Sequence, residues 1–584
     1  MSGSTRPAEA ERNVPSASAV FFWPPLAIAL LAACAVLATL DAGGEVPVLG
    51  QGPGLTLDEP FNVVDSVLLV DGLLGYGIGV LDPRSWLEVF GDPGYNSDHP
   101  PLGRLLIGLG HRAGQSLFGP VDAASPFSTT CARLAPALAF AATVFLVGWC
   151  AGRWFGSTAG TVASLALLLM PRVFVHAHIA SLETFMNLVF AGGVFYVADR
   201  WAARPSGPTW PQVGIGGLLW GLALLTKIQA VVLTIPIGLW ALAMWRLRVL
   251  PRLIVLAVVG VTVFFAGWPW LWLDPVGHLQ QYLGRAADRA ILYCFYFGER
   301  YADRDVPWHY SFVMFAITVP LGLQLLGLAG GLVKADADAT ARSRVWLLLL
   351  TIVCTLAFFA LPGITVYDGT RLFLVVAPVW AVLIGRGASL LLDGLKRRTN
   401  ATAAGAVLAL LLAAQGWGLV ALHPVQLSYY NLLAGGTRGA AGLGMELSYW
   451  GDSLTRSFLS DVAEAVPPGS VIDVAPVLHP SYLAVLQMQP ALQRTENGQP
   501  ANRQLRAYDD VNRDQIRYAV VFRRRADPWK SLAHPPEGAR LLAELRREGV
   551  QLAALYEFAP DEFDSAEFDS DSQALDSTRD DRGE

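Results

Sequence analysis

Charged residues are scarce in this 584-residue chain, at 15% of the sequence, whereas hydrophobic residues make up 53%. Soluble domains carry about a quarter charged residues, so this chain lacks the side chains that cover a water-facing surface. The five cysteines lie mostly inside apolar runs and form no CxxC pair, which argues against a disulfide framework or a metal site. The sequence also lacks a GxxxxGK[ST] phosphate-binding loop, so an ATP-driven pump is not expected.

Long apolar runs dominate the chain between Ala19 and Val420. Each is long enough to cross a hydrocarbon core of about 30 Å. The first run ends without a convincing signal-peptidase site and is too long for a signal-peptide core, so we expect it to be retained. The runs predict eleven spans: 19–40, 131–150, 158–175, 182–199, 213–226, 229–245, 252–270, 309–333, 345–362, 371–390 and 401–420.

The loops between these spans alternate in charge. Basic residues are concentrated in the loops on one side of the membrane. The positive-inside rule places these loops, together with residues 1–19, in the cytoplasm. The loops 41–130 and 271–308 and everything after His423 are then outside. Within the first outer loop, Asn62–Leu74 and Leu102–Phe118 have the spacing of amphipathic helices that lie along the membrane surface.

The region after the last span changes character. We expect residues 421–560 to form a small extracytoplasmic α/β domain, with buried strands at Ser470–Val474 and Tyr518–Phe522 and an amphipathic helix at Gly538–Glu548. Residues 561–584 are acidic, rich in serine and poor in aliphatic side chains, which predicts a disordered tail.

Ionisable residues at the edge of a membrane bundle are costly and are therefore candidates for a site. Four groups map to the outer face by the predicted topology. They are Asp58-Glu59 after the first span, the segment Asp98–Arg104 with His99, the turn with Arg172, His176, His178 and Glu183, and Lys227 in a short turn.

Each group also has an ordinary structural interpretation. Asp58-Glu59 before a proline could cap a helix, and His99-Pro100-Pro101 could simply begin one. His176 and His178 could pair at the interface, and a metal role lacks a third and fourth ligand. Lys227 could extend its side chain to the headgroups from a helix end. The convergence of all four groups on one face favours a functional site.

The ordered set of these motifs resembles the GT-C superfamily of polyprenyl-phosphate-sugar-dependent glycosyltransferases. Over roughly residues 20–390 it is most similar to the family 39 and 83 type, which includes protein O-mannosyltransferases and the lipid A aminoarabinose transferase. The motifs are Asp58-Glu59, His99–Leu102, the second-loop acid Glu183 (where the family more usually has aspartate) and Leu225-Thr226-Lys227. Later stretches, Tyr367–Arg371 and Gly444–Asp452, look like those of bacterial members with an outer C-terminal domain.

This resemblance implies a GT-C-like transmembrane glycosyltransferase domain at 20–420, whose outer loop 41–130 is catalytic, in a bacterial-type inner (plasma) membrane. It implies sugar transfer from a polyprenyl phosphate to an acceptor hydroxyl, with inversion at the anomeric carbon. The phosphate is already a good leaving group, so one carboxylate base and positive charge for the phosphate suffice. Asp58 matches the base, and Glu59 is expected to orient Asp58 or to bind the acceptor. Glu183, the second acid, is also expected to be catalytic.

Lys227, Arg371, His99 and Arg172 are the expected ligands of the donor phosphate. Acceptor-binding or structural roles are expected for Arg104, His176, His178, Asp368, Trp450 and Asp452. Asp509-Asp510 more simply caps a turn. The expected partners are the lipid-linked donor and the bilayer, without nucleic acid. The acceptor (protein, lipid or glycan) and a divalent cation are left open.

The main alternative is a transporter or flippase of a lipid-linked substrate, which would also place charges at the membrane edge. Transporters usually hold functional charges near the midplane, between broken helices related by repeat symmetry. The chain shows no repeat, and its charges lie at span ends. A structural or assembly protein, the second alternative, would leave Asp58, His99, Glu183 and Lys227 without a role.

Overall fold

The structure is a computed structural model that describes residues 17–119, 127–287, 291–334, 338–477, 479–493, 501–508, 515–527 and 538–558. The predicted acidic tail, Asp509-Asp510 and nearly all of the N-terminal tail lie outside these residues. Most of the described chain is helical, and a small mixed sheet follows the helices.

The helices before the sheet are numbered in chain order. They are α1 (Ala17–Leu37), α2 (Glu59–Gly75), α3 (Pro83–Phe90), α4 (Pro101–Phe118), α5 (Thr129–Ala132), α6 (Leu134–Phe155), α7 (Ser157–Leu168), α8 (Pro171–His176), α9 (Glu183–Arg200), α10 (Trp210–Leu224), α11 (Thr234–Trp245), α12 (Leu250–Ala266), α13 (Trp270–Leu273), α14 (Pro275–Ala287), α15 (Tyr310–Thr318), α16 (Leu321–Leu332), α17 (Ala339–Phe358), α18 (Val376–Lys396), α19 (Ala401–Gln415), α20 (Trp417–Ala421) and α21 (Gly436–Gly442).

Each of the eleven predicted spans coincides with one of these helices or with a consecutive pair. By length and apolar composition, five described helical segments can cross a membrane, or six if the bent pair α15 and α16 is one span. The chain is therefore a multi-pass membrane protein, while the count of eleven stays a prediction. Pro320 explains the bend of 114° between α15 and α16, because proline cannot donate a helical hydrogen bond.

The two amphipathic stretches predicted in the first outer loop are helices α2 and α4, which pack against each other. Prolines mark both starts: Pro60 is at the first turn of α2, and Pro101 is the first residue of α4. Proline suits this position because its missing N–H would have no helical partner there. The two helix starts bring the residues just before them, Asp58 and His99, to one end of the pair.

The sheet domain, residues 456–558, contains α22 (Arg456–Ala465) and α23 (Pro480–Gln487) and five strands. These are β3 (Val471–Ala475), β4 (Gln504–Ala507), β5 (Tyr518–Phe522), β6 (Arg540–Arg547) and β7 (Val550–Glu557), in the order β4-β3-β5-β7-β6. The first two pairs are parallel and the last two are antiparallel. A separate hairpin, β1 (Tyr293–Tyr296) and β2 (Glu299–Ala302), precedes α15.

The predicted strands at 470–474 and 518–522 are confirmed as β3 and β5, whereas the predicted helix at Gly538–Glu548 is wrong. That segment is the edge strand β6, paired antiparallel with β7. Its Leu, Ala, Glu and Arg residues favour a helix locally, but the turn that follows it directs the segment into a β-hairpin. Glu548 and Gly549 both have positive φ, at 48° and 78°, which fits the two-residue turn of a tight β-hairpin.

Candidate active site

A cavity of about 830 Å³ lies where the starts of α2 and α4, the segment before α18 and the loop after β5 meet. Its polar lining includes Asp58, His99, Asp368, Arg371 and Arg524. A volume of this size is in the range of small-molecule binding sites. The remainder of the wall is largely apolar, with Ile228, Val231, Val232, Leu283, Phe358, Phe359 and Ile364 among its residues.

Arg371 is the centre of an ion-pair network at this cavity. Its guanidinium contacts Asp58, Glu183 Oε1 at 2.8 Å and Asp368 Oδ2 at 3.1 Å. Lys227 Nζ donates to the same Glu183 oxygen at 2.6 Å. The structure thus joins residues that stand up to 313 positions apart in the chain. Three of the four predicted groups meet here directly, and His99 of the remaining group lines the same cavity.

The backbone around Gly369 forms the sharp turn that presents Asp368 and Arg371. Asp368 and Gly369 both have positive φ, at 55° and 64°. A Cβ atom on residue 369 would lie 2.8 Å from Arg172 Nη1 and 3.1 Å from the Tyr449 ring, so glycine is required there by both conformation and space. The Trp450 ring packs against Arg371, and the guanidinium carbon is 4.3 Å from the ring centroid.

The charges around the cavity affect Asp58 and His99 in different ways. Burial raises the pKa of the Asp58 carboxyl, and Asp368 and Glu183 add to this, while Arg371 and Lys227 act against it. Burial, helped by Lys227 and Arg104, holds the pKa of His99 well below its usual range, so this imidazole is neutral at physiological pH. A carboxylate whose pKa is raised is a stronger base once it is ionised.

Glu59, predicted beside Asp58 as a catalytic residue, does not line the cavity. Its carboxylate forms two hydrogen bonds with Arg133, both at 2.7 Å, and both side chains are completely buried. It also accepts the backbone N–H groups of Thr56 and Ala180. With both oxygens occupied in this way, the geometry favours a structural role for Glu59.

The structure also places Arg172 outside the cavity lining, although it was predicted to bind the donor phosphate. Its Nε donates to the Tyr429 carbonyl at 3.1 Å, and its guanidinium lies 4.7 Å from the centre of the Tyr430 ring. Arg172 Nη1 also lies close to Gly369, so these contacts favour a role in packing around the Gly369 turn.

The remaining predicted residues lie at differing distances from the network. His176 donates to the Arg172 carbonyl at 2.6 Å, and its ring is 5.5 Å from that of Trp450. His178 is hydrogen-bonded to Thr39 Oγ1 at 2.9 Å. Arg104 pairs with Asp65 at 3.2 Å and lines a second cavity of about 420 Å³ between α2 and α3. Among the described residues, no group of three or more His, Cys, Asp or Glu side chains is placed to hold a metal ion.

Asp452 is completely buried and accepts a hydrogen bond from Ser448 Oγ at 3.0 Å. Burial raises the pKa of its carboxyl to about 7. The folded protein therefore binds this proton more tightly than the unfolded chain does, and the free energy of unfolding falls as the pH rises from about 4 to about 7. Asp452→Asn removes this penalty, so we expect its unfolding temperature in detergent to exceed that of the wild type by several degrees at pH 8, and by less at pH 5.5. An equal or lower unfolding temperature at pH 8 would show that the ionised carboxylate is stabilised in place.

Sequence reasoning missed two arginines that the structure brings to this region, Arg133 and Arg524. Arg133 lies between α5 and α6 and neutralises Glu59. Arg524 is the second residue after β5 and reaches the cavity from the sheet domain. A signal for Arg524 was present, because the run Arg523-Arg524-Arg525 stands at the carboxyl end of a strand recognised as buried, and such strand ends often carry site residues.

The model of the dolichyl-phosphate-mannose-protein mannosyltransferase family matches residues 98–272. This segment contains His99, Glu183 and Lys227, and the match confirms the resemblance to this type of glycosyltransferase over that part of the chain. Asp58, Arg371 and Arg524 lie outside it. A comparison with curated proteins gives no match.

Solved structures similar to the chain include two of ArnT from Cupriavidus metallidurans. The apo form is 15% identical with a TM-score of 0.45, and the form bound to undecaprenyl phosphate is 16% identical with a TM-score of 0.43. Each comparison covers 91% of this chain and 97% of that chain. The archaeal oligosaccharyltransferase AglB from Archaeoglobus fulgidus, in complex with an inhibitory peptide and a dolichol-phosphate, is 13% identical over 85% of this chain and 69% of that chain, with a TM-score of 0.42.

Proposed function

We propose that the protein is a membrane glycosyltransferase that moves a sugar from a polyprenyl-phosphate donor to an acceptor hydroxyl, with inversion at the anomeric carbon. The observation that carries the proposal is the contact of one arginine, Arg371, with both Asp58 and Glu183 at the wall of a large cavity. The family match over residues 98–272 supports the same reaction class.

The network suits a site that exchanges one anion for another. Arg371 is neutralised by Asp58, Glu183 and Asp368. A donor phosphate would compete for Arg371 and Lys227, since both are strong phosphate ligands. Asp58 would then lose its cation and become free to accept the proton of the acceptor hydroxyl. Donor binding would in this way activate the base.

The apolar part of the cavity supports a lipid-linked donor. Ile228, Val231 and Val232 lie within five residues after Lys227, and the Val231 side chain is exposed. A prenyl chain could run along this wall while its phosphate reached Lys227 and Arg371. We further propose that this face is extracytoplasmic, that the N-terminus is cytoplasmic, and that residues 421–560 form an outer domain next to the transmembrane domain 20–420.

The test is transfer by the purified wild-type protein reconstituted in liposomes, with a panel of polyprenyl-phosphate sugars on the accessible face. We expect the donor to be consumed, polyprenyl phosphate to be released and one sugar mass to appear on an acceptor hydroxyl, as read by mass spectrometry. Movement of intact donor to the other leaflet without cleavage would contradict the proposal and favour the flippase alternative.

A further inference from the structure

The loop after β5 carries a buried cation from the sheet domain into the wall of the cavity. Arg524 is 2% exposed. Its Nη1 donates to Asp368 Oδ1 at 3.0 Å and to the Tyr449 carbonyl, and its Nε donates to Asp527 Oδ2 at 2.6 Å. A buried guanidinium with two carboxylate partners is held in a defined position, because each lost contact would leave a charge uncompensated.

Contacts from other parts of the chain fix the loop that carries Arg524. The buried Glu446 carboxylate accepts the backbone N–H groups of Arg525 at 2.6 Å and Ala526 at 2.9 Å. Arg300, on β2, donates to the Ala526 carbonyl at 2.6 Å. The loop is therefore attached to the segment before α22 and to the β1–β2 hairpin as well as to its own sheet. This attachment gives the Arg524 side chain a rigid base.

Asp368 links the two cavity arginines through its separate oxygens. Oδ1 binds Arg524 at 3.0 Å and Oδ2 binds Arg371 at 3.1 Å. Asp368 thus divides its charge between two cations. Without Arg524 its whole charge would act on Arg371, which would draw that guanidinium away from Asp58 and Glu183. The balance at Asp58 is set by Arg371, Asp368, Glu183 and Lys227, the charged groups that face it.

We propose that Arg524 is a positioning residue of the active site, which acts through Asp368 to hold Arg371 beside Asp58, where the guanidinium can pass from that carboxylate to the donor phosphate. The sheet domain then sets the geometry of the catalytic base and does more than cover the bundle. The kinetic part of this inference rests on the proposed glycosyltransferase function, whereas the electrostatic part does not.

The electrostatic part is tested by the reaction of Asp58 with a lipid-soluble carbodiimide, which attacks protonated carboxyl groups, followed by peptide mass spectrometry over a pH series. In Arg524→Gln we expect the midpoint of Asp58 labelling to move upward by about one pH unit, because the carboxylate loses positive charge nearby. Arg524→Lys keeps the charge and should move the midpoint less. An unchanged midpoint in folded Arg524→Gln would overturn the proposal.

The path through Asp368 is tested by a double-mutant cycle of Arg524→Gln and Asp368→Asn, with transfer as the readout. If Arg524 acts through Asp368, Arg524→Gln lowers kcat by about tenfold to a hundredfold when Asp368 is present and has no further effect when residue 368 is asparagine, so the double variant matches Asp368→Asn. Additive losses would contradict the path. A merely structural role would also leave the pH profile of kcat/KM unmoved.

Arg503→Gln is the matched control for domain stability. Arg503 is also a fully buried arginine of the sheet domain, and it donates to the carbonyls of Ala463, Val466 and Leu492, away from the cavity. We expect it to lower the unfolding temperature without moving the Asp58 midpoint. A labelling shift in Arg524→Gln without transfer by the wild type would keep the electrostatic proposal and remove the proposed function. Transfer by the wild type, together with the same Asp58 labelling midpoint in the wild type and in Arg524→Gln, would keep the proposed function and remove the electrostatic proposal.

Discussion

Asp58→Asn is expected to lower the rate of sugar transfer by a factor of about 10² to 10⁴, the usual contribution of a general base. Asparagine has nearly the same shape as aspartate, and its carbonyl oxygen still accepts a hydrogen bond from Arg371. The fold and donor binding should therefore persist, while the acceptor hydroxyl loses the group that we propose takes its proton. The measurement is initial transfer rate in liposomes at saturating donor, together with the affinity for polyprenyl phosphate.

The matched control for this experiment is Asp71→Asn on the same helix, α2. Asp71 forms an exposed ion pair with Arg112 at 2.7 Å, and its side chain is 46% exposed. This variant removes one carboxylate from α2 without touching the cavity, so its transfer rate should match that of the wild type. Full activity in Asp58→Asn would remove Asp58 as the base. A lower affinity for polyprenyl phosphate with an unchanged kcat would instead indicate that Asp58 maintains the structure of the donor site.

Glu59→Gln is expected to destabilise the folded protein by about 3–5 kcal/mol, the usual cost of breaking a buried ion pair by removing one partner. The reason is Arg133, which would remain fully buried without its counter-charge. The same substitution also weakens the hydrogen bonds from the Thr56 and Ala180 backbone to the former carboxylate. Unfolding followed by tryptophan fluorescence in a detergent–SDS titration measures the change.

Asp71→Asn serves here as well, since an exposed pair such as Asp71–Arg112 contributes at most about 1 kcal/mol. The two substitutions thus compare a buried and an exposed ion pair in neighbouring parts of the chain. If Glu59→Gln unfolds like the wild type yet transfers no sugar, then Glu59 acts on the acceptor or orients Asp58, as the sequence predicts. Instability with residual activity would support the structural role.

The sequence predicted those parts of the molecule that depend on local composition. Apolar runs coincide with helices because hydropathy is a property of each segment by itself. Strand β5 was found for the same reason, as a short continuous apolar run. Local composition gave the wrong prediction for β6. Its residues favour a helix, but pairing with β7 across the Glu548-Gly549 turn outweighs that preference.

The candidate site was predicted residue by residue, and its connections were not. Asp58, Glu183 and Lys227 could be chosen because a charge at a span end needs a partner. Arg371 was chosen because the stretch Tyr367–Arg371 resembles a motif of bacterial family members. Which partner each one takes depends on the packing of distant helices, and no sequence spacing encodes that Arg371 contacts both Asp58 and Glu183. Glu59 became a site candidate because it is adjacent to Asp58 in the sequence. In the structure its partner is Arg133, 74 positions away, and the pair lies outside the cavity lining.

The position of β5 has a consequence for how this chain can be divided. β5 is the central strand of the sheet, with β3 on one side and β7 on the other, and the loop that leaves it supplies a wall of the cavity. A truncation or a domain exchange after residue 420, where the last predicted span ends, would remove that wall together with the ion pair between Arg524 and Asp368. The sheet domain is therefore not an interchangeable module, and the smallest unit of this protein that can evolve or be engineered as a whole includes both of its parts.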